Sequence, residues 1–235
     1  MPLGGACHRI QRPMSAEIIV SYDGTPNDDD ALALGKALAA AGASMALAYV
    51  RHSREFDPDR EQLAQHDADH RLQQGADWLG YGAIPRHVVI SASTGQGLAE
   101  LAANEGASVI VFGSDYRTAP GHAEPGNTAQ YLLEGGRVAV AVAAAGLRLN
   151  PGQVATVAAA PVGVDGAGAE TAQLLATRLG ATLLAPGSDT ADLIVVGSQP
   201  TAPPGTIALG GSARSLLNAS RGSVLVVAQG TAVTL

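Results

Sequence analysis

The chain has 235 residues, of which 46% are hydrophobic, 15% are charged and 3% are aromatic, and its formal net charge is −7. Its 13 arginines and one lysine form no basic run, which argues against binding to nucleic acid or to an anionic membrane surface. A single cysteine, Cys7, excludes an intramolecular disulfide and a cysteine metal cluster, and no apolar run is long enough to span a membrane.

Residues 1–16 lack the long apolar centre of a signal peptide, so we expect a cytoplasmic protein. This segment is interpreted as a disordered N-terminal extension. Because Met14 stands just before the first strand, translation could begin at Met1 or at Met14.

From residue 17 to residue 143, apolar segments typical of buried strands alternate with segments of helical period. The first helix has a clear start, since Thr25 can cap it, Pro26 suits its first position and Asp28 completes a capping box. The second helix is polar, with its apolar residues roughly on one face: Leu63, Ala68, Leu72, Ala76 and Leu79. The predicted strands are 17–22, 44–50, 86–93, 108–113 and 137–143, and the predicted helices are 25–42, 59–80, 94–106 and 128–134.

This alternation predicts an α/β fold, a doubly wound parallel five-stranded sheet with helices on both faces. Ligands of such sheets bind beyond the carboxyl ends of the strands, where the strand order reverses. The ends of the first and fourth strands, at Asp23 and Gly113, are therefore the candidate site.

The second half of the chain repeats part of this pattern. The segment "ADLIVVGSQP" (191–200) matches "ASVIVFGSDY" (107–116), and "SARSLLNASRGSVLVVA" (212–228) matches "TAQYLLEGGRVAVAVA" (128–143). An internal duplication explains both matches.

The second copy is shorter than the first. A strand at 155–162, a helix at 167–180 and a strand at 181–186 precede the repeated segments, but a helix, a strand and a helix are missing after Pro186. We therefore predict a first domain at 17–146 and a truncated second domain at 154–230.

The turn "SYDGT" (21–25) and the loop "GSDYRTAPGHAEPGN" (113–127) make the chain similar to a tandem universal stress protein. Nucleotide-binding members of that family carry Asp-Gly after the first strand and G-x2-G-x9-G-[ST] after the fourth. Here the spacing is kept, but Tyr116 replaces the second glycine and Asn127 stands at the Ser/Thr position. The resemblance covers about residues 17–228 and implies a sheet of the adenine nucleotide alpha-hydrolase-like, Rossmann-like type.

The resemblance also implies a ligand for the first domain, an adenine nucleotide: AMP, or ATP with or without Mg²⁺. In the family, the aspartate and the strand ends hold the adenosine, and the glycine loop offers backbone N–H groups to the phosphates. The matching positions here are Asp23, Val50, Phe112, Gly113, Ser114, Gly126, Asn127 and Thr128.

Some chemical features of the loop favour phosphate binding, and others oppose it. A helix starting near Asn127 offers free N–H groups, and Gly126 permits close approach. Against this, Tyr116 adds bulk, and two prolines in the loop remove N–H donors. The acidic residues nearby are Asp28, Asp29, Asp30, Asp115 and Glu124, and only Arg117 and His122 could oppose them. Adenosine or AMP is therefore easier to accept than ATP, unless a divalent ion intervenes.

Two interpretations of function stay open at this point. The first is a regulatory protein that binds an adenine nucleotide through its first domain, and the second is a scaffold or interaction protein that has lost nucleotide binding. Asp23 itself can be a ligand or simply a turn former. We expect no enzyme, because no nucleophile motif and no credible acid–base pair is visible.

No metal site is predicted either. Acidic residues in a first helical turn, such as Asp28–Asp30, more often interact favourably with the helix dipole than bind a metal. His66 and His70 are spaced so that their side chains could bind one metal ion. They lie on a polar helix, however, and are interpreted as part of its solvent-exposed face.

The last strand of each copy is apolar and would otherwise be an exposed edge. We therefore expect the two copies to meet through these strands as an intramolecular pseudo-dimer, in a chain that is a monomer or a weak homodimer. The second copy is expected to bind no nucleotide, since Pro161 falls where Asp23 stands and Pro200 replaces the second glycine.

Overall fold

The computed structural model describes residues 16–80, 82–161 and 165–235. The predicted N-terminal extension, apart from Ala16, lies outside the described residues. The first half of the chain contains β1 (Ile18–Ser21), α1 (Pro26–Ala39), β2 (Met45–Arg51), α2 (Pro58–Leu79), β3 (Arg86–Ile90), α3 (Thr94–Glu105), β4 (Val109–Phe112), α4 (Asn127–Leu133) and β5 (Ala139–Val142). A short 3-10 helix (Leu147–Leu149) is followed by β6 (Thr156–Ala159), α5 (Gly166–Leu179), β7 (Thr182–Leu183), β8 (Leu193–Val196), α6 (Gly211–Ala219) and β9 (Ser223–Val226).

The nine strands form a single sheet in the order β3-β2-β1-β4-β5-β9-β8-β6-β7. All neighbouring strands are parallel except β5 and β9, which pair antiparallel with Ala141 opposite Leu225. The first five strands have the predicted doubly wound order, which reverses between β1 and β4. The two apolar strands that were expected to meet, β5 and β9, thus pair with each other. Their pairing joins the strands of the two halves into one sheet.

Helices cover both faces of this sheet, as continuous apolar strands require. On one face, α1, α2 and α5 bury residues such as Leu32, Leu72 and Leu175. On the other face, α3, α4 and α6 contribute Leu98, Leu132 and Leu217. None of the helices in the described residues is both long and apolar enough to cross a bilayer.

The repeat seen in the sequence is also present in the hydrogen bonds. The hydroxyl of Ser114 donates to the carbonyl of Ala143 at 2.6 Å, and that of Ser198 donates to the carbonyl of Val227 at 2.9 Å. In each half the acceptor lies 29 residues after the serine. The two halves therefore fix the loop after β4 and the loop after β8 to the sheet in the same way.

Each of these loops also reaches the other half of the chain. The N–H of Gly222 donates to the carbonyl of Gly121 at 2.8 Å, and the N–H of Ile207 donates to the carbonyl of Gly136 at 2.7 Å. The junction between the halves thus includes loop contacts on either side of the β5–β9 pair.

Two local predictions differ from the structure. Leu63 is 61% exposed, because the buried residues of α2 begin only at Ala68 and the first turns of the helix lack a covering partner. The strand predicted at 181–186 is reduced to the two exposed residues of β7, which form an edge of the sheet. Short edge strands limit pairing with other chains.

Candidate functional site

A cleft of about 160 Å³ opens beyond the carboxyl ends of β1 and β4, at the predicted reversal of strand order. Six of the eight residues proposed from the sequence line it: Asp23, Phe112, Gly113, Gly126, Asn127 and Thr128. Ser21, Asp28, Thr94 and Ala129 complete the lining. The turn after β1 and the start of α4 therefore face one another across a common space.

The other two proposed residues do not line the cleft. Val50 is buried on β2 and packs in the apolar layer that includes Phe112 and Leu98. Ser114 is buried, and its hydroxyl donates to Ala143 O, lies 3.4 Å from His122 O and accepts from Glu124 N at 3.1 Å. The hydroxyl of Ser114 therefore holds the loop to the end of β5 and lies outside the cleft lining.

Asp28 organises the turn on one side of the cleft. One of its carboxylate oxygens accepts from the N–H of Thr25 at 2.8 Å, from the Thr25 hydroxyl at 2.7 Å and from the N–H of Asp23 at 3.1 Å. This is the capping box expected from the sequence, extended by one further donor. Arg71 donates to the carbonyl of Asp23 at 2.9 Å and supports the turn from α2.

Asp23 is exposed and lines the cleft together with Asp28. Partial desolvation raises the pKa of Asp23, the neighbouring charge of Asp28 raises it further, and Arg71 and His52 only partly oppose this. An acid whose ionised form is disfavoured in the folded state destabilises that state at neutral pH. Such groups are concentrated at functional sites.

We predict that Asp23→Asn stabilises the ligand-free protein at pH 7. Because the folded-state pKa is raised, the Asp23 carboxyl favours folding at low pH and loses that advantage as pH rises through the folded-state pKa. The gain should be a few tenths of a kcal/mol, since Asp23 is exposed, and should vanish below about pH 3.9. Urea unfolding across this pH range measures it, with the exposed Asp67→Asn as control. A variant less stable than the parent at pH 7 would contradict the assignment.

Gly113, the first glycine of the loop motif, is in close backbone contact with α1. A side chain at this position would place its Cβ only 2.1 Å from the carbonyl oxygen of Asn27. The amide of Asn27 also donates to the carbonyl of Ser114 at 2.9 Å. The start of α1 is therefore fixed against the end of β4.

The loop between Gly113 and Gly126 folds back on itself as a hairpin. Ser114 and Pro125 form an antiparallel bridge, and the N–H of Asp115 donates to the carbonyl of Glu124 at 2.9 Å. Tyr116 points into solvent with 74% of its surface exposed, and the guanidinium of Arg117 lies 4.9 Å from its ring centre. Neither side chain enters the cleft.

Among the residues that the structure describes, the charged side chains lining the cleft are the carboxylates of Asp23 and Asp28. Arg117, expected from the sequence to meet a phosphate, stands outside the lining, as does His122, whose backbone forms a β-bridge with that of Arg221 in the second half. Two carboxylates and no cation favour hydroxyl or amine donors and disfavour a bare phosphate.

The remaining acids and histidines noted in the sequence have separate surroundings. Asp29 accepts from the hydroxyl of Tyr22 at 3.3 Å, and Asp30 is fully buried against the segment after β5. His66 and His70 are exposed on α2. Across the ranges described, no three histidine, cysteine or acidic side chains are grouped as a metal site would require.

Sequence reasoning missed part of the lining, including Asp28 as a cleft residue and Thr94. The signal for Thr94 was present, because it follows β3 and a doubly wound sheet brings strand ends to one edge. The sequence interpretation of residues 94–106 was a helix. That interpretation is confirmed, since Ser93 caps α3 by accepting from Gln96 N.

In the second half the counterpart of Gly113 is Gly197, and the chain packs closely against it. The carboxylate of Asp165 accepts from the N–H of Gly230, and a Cβ at Gly197 would lie 2.5 Å from one of its oxygens. Pro161, the residue aligned with Asp23, offers no side-chain donor or acceptor. Asp165 therefore packs against Gly197 much as Asn27 packs against Gly113.

A doubly wound sheet with a cleft at its strand reversal and a glycine loop after β4 defines a class of α/β ligand-binding domain. The profile of the universal stress protein family matches residues 14–144, more than half of the chain. The chain belongs to the universal stress protein family.

Solved structures share the fold. A universal stress protein from Archaeoglobus fulgidus DSM 4304 superposes with a TM-score of 0.65 at 15% identity, covering 92% of this chain and 99% of that chain. A protein of the universal stress type from Pseudomonas aeruginosa UCBPP-PA14 gives a TM-score of 0.57 at 16% identity, covering 92% of this chain and 94% of that chain. A search of curated proteins finds no significant match.

Proposed function

We propose that this universal stress protein is a regulator that binds an adenine nucleotide through the cleft of its first half. The observation that carries the proposal is the arrangement of Asp23 opposite Gly126–Thr128 in one cleft at the strand reversal. A carboxylate there can accept from ribose hydroxyls or from a base amine. Gly126 has open space around its Cα, so a ligand can approach its backbone.

The size and charge of the cleft restrict the ligand. At about 160 Å³ it is smaller than the roughly 300 Å³ at which pockets for whole drug-sized ligands begin. It fits one part of a nucleotide, such as the ribose, with the remainder outside. With no cation in the lining, AMP is preferred over ATP unless Mg²⁺ accompanies the triphosphate.

Calorimetric titration of the full chain with AMP, and with ATP and Mg²⁺, tests this function. Asp23→Ala should weaken AMP binding about tenfold to a hundredfold, because a hydrogen bond to a charged group contributes about 1.5–3 kcal/mol. Glu170→Ala, which changes the net charge equally at an exposed site on α5, should leave the dissociation constant unchanged. Because Pro161 and Pro200 stand in the second half where Asp23 and the second loop glycine belong, the stoichiometry should be one nucleotide per chain.

A specific observation favours a second function. The cleft is small, at about 160 Å³, and its charged lining residues among those described are carboxylates, as expected for an interaction protein that has lost its nucleotide. Titrations that stay flat to about 1 mM with Mg²⁺ present would reject the nucleotide regulator and favour the scaffold. An Asp23→Ala variant that binds AMP as the parent does would remove Asp23 as a ligand.

A further inference from the structure

A second and larger cavity, of about 690 Å³, shares no lining residue with the cleft and is formed by both halves. One wall comes from α3 and α4 of the first half, and the other comes from the segment after β9, residues 228–234. The cavity exists because β5 and β9 pair, which brings the C-terminal segment beside α3 and α4. Its volume is within the range typical of small-molecule sites.

The floor of this cavity is apolar and its mouth is polar. Ala102, Leu132 and Ala139 are buried in the floor, and Ala103 is exposed at the mouth. Tyr131 is also at the mouth, with 56% of its surface exposed. A flat apolar group could therefore pack on the alanines and contact the Tyr131 ring.

Arg137 gives the cavity a positive charge. Its side chain is exposed in the lining, and within the described ranges its guanidinium makes no hydrogen bond or ion pair. The acidic residue of the lining, Glu134, is already opposed by Arg214 at 3.8 Å. A chain with a net charge of −7 thus presents an uncompensated cation beside an apolar cavity. A guanidinium suits a carboxylate, which it can hold with two parallel hydrogen bonds.

We propose that this cavity is a binding site for a small aromatic carboxylic acid, with the carboxylate on Arg137 and the ring system over the alanines. The hydroxyl of Ser108 also lines the cavity and has no hydrogen-bond partner among the described residues, so it can donate to the same carboxylate. The site is separate from the nucleotide cleft and does not depend on it. A ligand here would contact both halves of the chain at once.

The experiment uses the full chain with 2-naphthoate as the probe and 2-naphthamide as a neutral molecule of the same shape. Calorimetry should show submillimolar binding of naphthoate, and amide NMR shifts should map to Ala103, Arg137 and Ala232. Arg137→Gln should weaken naphthoate about tenfold and change naphthamide binding less than about twofold. Arg60→Gln, at an exposed position of α2, is the matched control and should change neither.

Ala103→Trp fills the mouth from an exposed helix position and should abolish binding of both molecules. AMP should not displace naphthoate, because the two sites have no lining residue in common. No binding of naphthoate up to about 1 mM would overturn the proposal. So would equal affinities of the parent and Arg137→Gln, or NMR shifts confined to the nucleotide cleft.

Discussion

Asp30→Ala should lower the free energy of unfolding by about 3–5 kcal/mol. Asp30 is fully buried in α1 and accepts three hydrogen bonds from the segment after β5. These come from Gly146 N at 2.9 Å, and from both the N–H and the guanidinium of Arg148 at 2.7 Å. Removing the carboxylate leaves two N–H groups unpaired and an arginine without its partner, which costs far more than a lost surface ion pair.

Urea unfolding followed by circular dichroism measures this effect. The matched control is Asp29→Ala in the same helical turn, because Asp29 has a single long hydrogen bond from Tyr22 and desolvation already raises its pKa. We expect that control to stay within about 1 kcal/mol of the parent. If Asp30→Ala also remained within that limit, the buried ion pair would not fasten the connection between the halves.

Replacement by alanine should destabilise the protein at one of the two glycines kept from the family motif and leave its stability nearly unchanged at the other. Gly113→Ala should cost about 1–3 kcal/mol or more, because its Cβ would lie 2.1 Å from the backbone carbonyl oxygen of Asn27. Backbone cannot yield as a side chain does, so the start of α1 must move and the bond from Asn27 to Ser114 O is strained.

Gly126→Ala should stay within about 1 kcal/mol of the parent. Gly126 has φ −68 and no atom within 4 Å of an added Cβ, so the folded backbone accepts alanine. The weaker N-cap and the reduced entropy of the unfolded chain oppose one another. Thermal and urea unfolding of the two variants provide the comparison. Equal losses would show that the α1–β4 contact is not tight, and a loss of AMP binding by Gly126→Ala alone would assign that glycine to the ligand.

The order and type of the elements followed from the sequence because apolar runs and helical periods are local signals. The family motif likewise predicted that Asp23 and Gly126 would share a cleft. The motif did not predict that Gly113 packs against the backbone of α1. Spacing alone shows where a glycine stands, but the partner that requires its missing side chain, Asn27, comes from another element.

The Asp30–Arg148 pair was not foreseen for a similar reason. Its members are 118 residues apart, and Asp30 belongs to a run of three acids that any helix start would tolerate. Asp30 differs from the other two acids of this run in being fully buried. The 3-10 helix at Leu147–Leu149 lies between the two predicted domains and was not predicted, because three residues carry no period.

The antiparallel pairing of β5 with β9 has a consequence for how the protein responds to dilution. When two separate chains share a sheet, the fraction assembled falls as the cell makes fewer copies. Here the connecting segment holds the second half beside the first at an effective concentration on the order of millimolar, whatever the abundance of the protein. A single molecule is already a complete pair, so a signal read by this protein would scale with the number of chains and not with its square.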